Sequence, residues 1–300
     1  MRTKTLAISL LVPVLLLSAC GRFNDAGAGG SGDGGGSSDG GGSGQIDHPT
    51  GPDELVLRIE TGGGFVPVEH NLRAVPGLSL YGDGRLIVEG PVPEIYPGPA
   101  MPNLQVTQLT EEAVQAILHA AEEAGLMGKD ADYGFPCVTD LPTTTFTVVA
   151  EGQTHTVSAY ALGFETEGMG ACPDVDEEAR ADLVDFWTQL GDPVRWLPEG
   201  SVGATEEYIP TAMRVYVQPY RGDPELEQVP VPWPLEGSLK GFGEPDANLP
   251  DVRCGVVTGS DLGTLLPEAL AANELTPWTS DGADHGLIFR PLLPDEKPAC

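Results

Sequence analysis

The densest group of side chains that could hold a metal ion is the acidic run Asp-Val-Asp-Glu-Glu at residues 174–178. Hard cations such as Ca²⁺ prefer carboxylate oxygens, but an EF-hand spreads its ligands over a longer loop with a central glycine and a final glutamate. This run continues directly into a helical pattern, where the helix dipole stabilises acidic residues. We interpret it as a helix start capped by Asp174 and assign no metal ligand, with a divalent-cation-binding module as an alternative.

Histidine and serine spacing gives little support to hydrolytic chemistry. The five histidines contain neither an i, i+4 pair nor a His-Glu-x-x-His motif, which a zinc hydrolase would need. Gly259-Ser260-Asp261 lacks the Gly-x-Ser-x-Gly spacing of a nucleophile elbow, so Ser260 and Asp261 are interpreted as helix caps. A cell-envelope hydrolase using paired carboxylates stays an alternative, because 45 acidic residues are present and none stands out. The sequence therefore predicts no catalytic residue and no cofactor.

Aromatic side chains accumulate among prolines after residue 195. Flat rings of this kind can form the floor of a sugar or peptide groove, since they bury a large area at small entropic cost. They also dominate protein cores, and we favour that interpretation. A protein or glycan partner at the cell envelope thus stays open. The six residues are Trp196, Tyr208, Tyr216, Tyr220, Trp233 and Trp278.

The N-terminus has the pattern of an export signal. Arg2 and Lys4 precede an apolar stretch at 6–17 that is too short to span a bilayer comfortably. The following Leu-Ser-Ala-Cys at 17–20 resembles the lipobox of bacterial lipoproteins, which implies cleavage after a signal peptide at 1–19 and attachment of diacylglycerol to Cys20. Because two or more acyl chains hold a protein durably on a membrane, we expect a lipid anchor at the extracytoplasmic face of the cell membrane.

Residues 20–52 comprise the lipidated cysteine and a segment rich in Gly, Ser and Asp. Of the 40 glycines in the chain, 13 fall within 21–52. Such a composition buries too little apolar surface to offset its chain entropy. We therefore predict a flexible tether between the anchor and the folded part.

Four cysteines remain besides Cys20. An even number in an exported chain indicates two disulfides, for which three pairings exist. Cys137 and Cys172 lie in predicted loops on either side of one hairpin, and Cys254 and Cys300 bracket the C-terminal unit. We favour Cys137 with Cys172 and Cys254 with Cys300, because no C-x-x-C spacing indicates a metal or redox site.

The charge balance excludes another class of partner. With 15 Lys and Arg against 45 Asp and Glu, the formal net charge is −30. Contacts to phosphate dominate binding to nucleic acids and to anionic headgroups, so such a surface repels both. We predict no nucleic-acid binding, and attachment to the membrane only through the lipid.

Apolar periodicity and turn residues predict an α+β fold, with antiparallel sheets and helices packed on one face. Two small units, 53–197 and 205–300, are expected on either side of a proline-rich crossing. The first has strands at 55–59, 78–81, 85–88, 143–150 and 153–161 and helices at 110–125 and 174–191; the second has strands at 212–218, 252–257 and 286–290 and a helix from Asp261.

Residues 54–190 resemble a domain of unknown function found in secreted and lipoprotein chains of bacteria. The resemblance rests on Tyr-Gly-Asp-Gly at 81–84 and Thr-Asp-Leu-Pro-Thr-Thr-Thr at 139–145, and the chain as a whole resembles lipoproteins of actinobacteria. The resemblance implies an exported α+β protein and transfers no activity or catalytic residue. Together with the signal and the cysteines, it favours a lipid-anchored, non-catalytic binding or display module of the cell envelope.

Overall fold

The computed structural model describes residues 44–164 and 172–300. An eight-stranded sheet uses the strands of the first part of the chain in the order β5-β7-β6-β1-β2-β3-β4-β8. All neighbouring pairs are antiparallel except β5 and β7. The strands are β1 (Leu55–Gly62), β2 (Leu78–Tyr81), β3 (Arg85–Glu89), β4 (Leu104–Leu109), β5 (Ala131–Tyr133), β6 (Thr143–Ala150), β7 (Gln153–Tyr160) and β8 (Val202–Glu207).

A second, six-stranded sheet has the order β10-β13-β14-β9-β12-β11 and is antiparallel except between β10 and β13. Its strands are β9 (Ala212–Pro219), β10 (Val231–Pro232), β11 (Glu244–Pro245), β12 (Arg253–Thr258), β13 (Trp278–Ser280) and β14 (Ala283–Pro291). The α-helices of the described residues are α1 (Val68–Arg73), α2 (Glu111–Glu123), α3 (Glu177–Leu190) and α4 (Gly259–Ala271). The predicted α+β class is confirmed.

Turn chemistry sets the register of the two predicted hairpins. Between β6 and β7, Glu151 and Gly152 both have positive φ, which is the conformation of a two-residue type I′ turn. Between β2 and β3, Gly84 has φ +82° and closes the turn through its N–H to the Tyr81 carbonyl oxygen. Both hairpins lie where the sequence predicts them.

The main core lies between the first sheet and two helices on one face. Ile117 of α2 and Phe186 of α3 are buried in the same cluster as Leu57, Phe146 and Val148 of the sheet. The apolar stripe of each helix faces the strands, as amphipathic helices require. This part of the fold matches the sequence expectation of helices on one face.

Each sheet also has a second covered face, which the sequence did not indicate. Leu293, from the segment after β14, is buried with Tyr81 and Ile87 on the far side of the first sheet. In the second sheet, α4 packs on one face, whereas Leu72 of α1 packs against the cluster of Ile288 on β14. The described residues, 44–164 and 172–300, accordingly belong to a single compact unit of contacts.

Several predicted boundaries differ from the structure. Ile46 is buried, so packing begins within the segment assigned to the tether. Strand β8 pairs with β4 and therefore belongs to the first sheet, although it spans the expected start of the second unit. Asp176, rather than Asp174, caps α3, accepting a hydrogen bond from the N–H of Ala179.

A similar shift occurs at the start of α4. The helix begins at Gly259 after Thr258, so Ser260 and Asp261 lie in its first turn and do not cap it. Pro267 lies inside the helix. Proline has no backbone N–H to donate and is therefore usually avoided in helix interiors.

Both predicted disulfides are present. Cys137 pairs with Cys172 and Cys254 with Cys300, each with a Cα–Cα distance of 5.9 Å. The favoured pairing is confirmed. The second bond fixes the last residue of the chain to β12, which prevents fraying of this terminus.

Cys20 and the export signal lie outside the described residues. Within 44–164 and 172–300, the structure contains no helix with the length and apolar character needed to cross a membrane.

Candidate functional site

The segment predicted as a tether reaches the first sheet at one of its ends. The Asp47 N–H donates to Glu151 Oε1 at 2.7 Å, and the Glu151 N–H donates to the Asp47 carbonyl oxygen at 2.8 Å. Glu151 lies in the turn between β6 and β7, so this end holds the β6–β7 turn and the start of β1. We call it the tether end.

The opposite end of the same sheet carries a group of cavities. It is formed where β1 and β3 finish and where β2 and β4 begin. An extended chain rises about 3.3 Å per residue, so the eight residues of β1 separate the two ends by roughly 20–25 Å. Anything bound in these cavities lies far from the entry of the tether.

One of them, cavity A, has a volume of about 400 Å³. Thr61, Gly77 and Glu89 contribute from the ends of β1, β2 and β3, and helix α1 contributes His70 and Arg73. The remaining lining comes mostly from apolar and proline residues of the β3–β4 loop and from the ring of Trp187 on α3. A volume of this size is in the range of small-ligand sites.

Arg73 is fixed by the second half of the chain. Its guanidinium donates to Glu274 Oε2 at 3.1 Å and to the Pro99 carbonyl oxygen at 2.9 Å. Glu274 Oε1 in turn accepts from the Gly98 N–H at 3.1 Å. The positive charge of Arg73 is therefore compensated before any ligand binds.

Glu89 is the one carboxylate among the residues that line cavity A. Loss of hydration raises the pKa of its carboxyl above the ordinary value, while the nearby charges of Arg73 and His70 act in the opposite direction. Among the described residues, no group donates a hydrogen bond to this carboxylate. The Glu89 carboxylate thus lines the cavity and has no hydrogen-bond donor among the described residues.

Cavity B, of about 180 Å³, is the neighbour of cavity A along the β3–β4 loop. The two cavities share Val92, Pro99, Met101 and Pro102. The lining of cavity B also includes residues from other parts of the chain, among them Glu207 at the end of β8, Ile209 after it, and Leu270 of α4. We call cavities A and B together the A–B groove.

A further cavity, of about 360 Å³, lies across α1 from cavity A and shares His70 and Arg73 with it. Glu69, Glu274 and Arg221 also line it. Glu274 is already engaged by Arg73 and by Gly98. The two carboxylates of this cavity, Glu69 and Glu274, therefore do not form the free acid pair that hydrolysis of a glycoside would use.

The residues singled out from the sequence lie mostly away from the groove. Asp176 of the acidic run caps α3, and the described residues contain no group of three or more His, Cys, Asp or Glu side chains that could hold a metal ion. Trp278 and Tyr216 are buried, which confirms the core interpretation for these two rings. Tyr220 lines the cavity across α1.

The sequence analysis missed the charged residues at the groove, although Tyr208, one of the six aromatic residues it singled out, lines cavity B. Arg73, Glu89 and Glu274 come from separate parts of the chain and form no motif. The one local signal is the spacing of His70 and Arg73, three positions apart on a helix and thus on one face. That signal alone does not indicate which strands the helix packs against.

The fold defines an α+β protein with a groove at one end of its larger sheet. No protein-family model matches the chain, and comparison with curated proteins and with solved structures finds no match either. The resemblance of residues 54–190 to a domain of exported bacterial proteins stays a prediction.

Proposed function

We propose that this protein is a lipid-anchored, extracytoplasmic binding protein that presents the A–B groove to a ligand away from the membrane. The observation that carries the proposal is the position of the groove at the end of the first sheet opposite the contact between Asp47 and Glu151, where the segment predicted as a tether reaches the fold. A binding site placed there is accessible to partners even when the tether is short. The sequence pattern at Cys20 supports the anchor.

The charge of the chain is consistent with this arrangement. A net charge of −30 keeps the folded part off anionic lipid, so the acyl chains on Cys20 would provide the attachment. Both disulfides suit an oxidising compartment outside the cytoplasm. The anchor and the location thus rest on independent features of the chain.

The groove favours binding over catalysis. Acid–base hydrolysis needs a second group within reach of the first, such as a paired carboxylate or a nucleophile beside a base. Cavity A offers Glu89 together with His70 and an arginine that is already compensated, and among the described residues its lining has no Ser, no Cys and no second carboxylate. Apolar walls with a few polar groups are typical of ligand-binding pockets.

The anchor is tested by metabolic labelling of the full chain with radioactive palmitate. The native chain should incorporate label and fractionate with membranes, whereas Cys20→Ala should do neither. The double variant Cys137→Ala, Cys172→Ala serves as the control, because it removes two other cysteines and should keep the label. Labelling of Cys20→Ala equal to that of the native chain would refute the anchor.

A further inference from the structure

We propose that the A–B groove binds an extended polypeptide segment of a partner protein that combines apolar with basic side chains. This inference deepens the proposed function by naming the class of partner. It rests on the groove acting as a binding site and does not depend on the lipid anchor.

Three of the eleven exposed large hydrophobic side chains among the described residues line cavity B. Val92, Ile209 and Leu270 are 51%, 59% and 48% exposed, and all three line it. Single exposed hydrophobic residues are ordinary on protein surfaces, but a group of them around one concavity indicates an interaction site. Their burial by a partner would remove this apolar surface from water.

The groove has a surplus of negative charge. Among the described residues, the carboxylates of Glu89 in cavity A and Glu207 in cavity B receive no hydrogen bond or ion pair. Arg73 and His70 lie near Glu89, but Arg73 is already paired with Glu274. A cationic side chain would find two free carboxylates, and an anionic ligand would meet repulsion. Charge complementarity therefore selects Lys or Arg in the partner segment.

The shape of the groove suits a chain better than a compact molecule. Cavities A and B are neighbours that share residues of the β3–β4 loop, so one ligand can reach both. In an extended polypeptide, side chains on one face recur about every 7 Å, which lets successive residues enter adjacent cavities. Nucleic acids and anionic lipids carry phosphates and are disfavoured by the same carboxylates.

Fluorescence anisotropy with two labelled peptide pools tests the proposal. Each pool has peptides of about ten residues, able to span roughly 30 Å when extended. One pool combines Lys, Leu and Gly in random order, and the other replaces Lys by Glu. The full chain, kept in neutral detergent at physiological salt, should bind the basic pool at least about tenfold more tightly than the acidic pool.

Matched variants separate groove binding from general attraction to an acidic protein. Glu89→Gln with Glu207→Gln should weaken the basic pool about fivefold or more. Glu177→Gln with Glu178→Gln changes the net charge equally at the start of α3 and should alter binding less than about twofold. Equal weakening by both pairs would overturn the proposal, as would equal binding of the two pools or binding of neither.

A second pair of variants tests the apolar contacts. Val92→Ser with Ile209→Ser should also weaken the basic pool several-fold. Val194→Ser with Val229→Ser changes two exposed valines that line neither cavity and should leave binding unchanged. Circular dichroism of each variant verifies its fold. Failure of these tests would leave the palmitate experiment unaffected, so the anchor and the partner class are tested separately.

Discussion

The segment after β14 is held on the first sheet by hydrogen bonds to the Asp295 carboxylate. Removing the donor on Tyr81 should lower the free energy of unfolding by a measurable amount. Asp295 Oδ1 accepts a hydrogen bond from Arg58 Nη2 and one from the Tyr81 hydroxyl, both at 2.7 Å. The Tyr81 residue is fully buried, and burial together with the hydrogen bond to Asp295 raises the pKa of its hydroxyl far above the ordinary value. Tyr81→Phe removes this donor, together with the hydroxyl oxygen that accepts from Arg58 Nη2 at 3.2 Å, and leaves the ring in place.

The magnitude follows from the charge of the acceptor. A hydrogen bond to a charged group contributes about 1.5–3 kcal/mol to stability. Asp295 retains Arg58 and has 22% of its side chain exposed, so water replaces part of the lost bond. We expect Tyr81→Phe to lower the free energy of unfolding by about 1.5 kcal/mol, which corresponds to a decrease in Tm of roughly 3–6 °C in a protein of this size.

Thermal and urea unfolding followed by circular dichroism measure this change. Tyr208→Phe is the matched control, because its hydroxyl donates to the neutral Leu292 carbonyl oxygen and should cost only about 0.5–1.5 kcal/mol. A double-mutant cycle of Tyr81→Phe with Asp295→Asn should give a coupling energy of about 1 kcal/mol. The reasoning is refuted if Tyr81→Phe unfolds like the native chain and the coupling is zero.

The same contact has a defined pH dependence. Burial raises the pKa of Asp295, but the hydrogen bonds from Arg58 and Tyr81 outweigh this and lower it below the ordinary value. A lowered folded-state pKa contributes stability that is present above the unfolded pKa of about 4 and is lost as the pH falls through the folded value. The stabilities of the native chain and of Asp295→Asn should therefore converge in acid.

Three further predictions test other parts of the structure. Replacing Cys254 and Cys300 by serine opens a loop of 46 residues and should cost about 4 kcal/mol in urea unfolding. The carboxyl carbon of Glu89, followed by NMR, should titrate above its ordinary pKa, and a normal or lowered value would contradict its partial loss of hydration at the groove. Gly243→Ala should destabilise by more than about 2 kcal/mol, because φ is +59° and a Cβ would collide with the Cys254 carbonyl oxygen. At Gly63, where φ is also positive but the space is open, the same change should cost only about 1 kcal/mol in the same unfolding assay.

The parts of the fold that local chemistry determines were predictable. The Glu151–Gly152 turn, the apolar stripe of α2 and the alternation in β6 each specify an element without reference to the rest of the chain. The disulfide pairing followed from where the cysteines fall between these elements. Each of these signals is contained within a short window of sequence.

The groove was not predictable because its residues meet only through tertiary packing. Helix α1 has six residues and no buried position, so it carries no apolar stripe to reveal it. Its docking on β14 brings Arg73 to Glu274, two residues separated by 201 positions. Strand β8 is mostly exposed, so it lacked the pattern that would have assigned it to the first sheet.

Methyl NMR of methionine tests the central claim, ligand binding in the A–B groove, most directly. Met101 lines both cavities and is 8% exposed, whereas Met213, in the same apolar cluster, has no exposed surface and lines neither cavity. Titration with the basic peptide pool should shift the Met101 methyl resonance to saturation and leave that of Met213 in place, and the acidic pool should shift neither. A Met101 resonance that stays fixed while the peptides bind, or equal shifts at Met101 and Met213, would contradict the account.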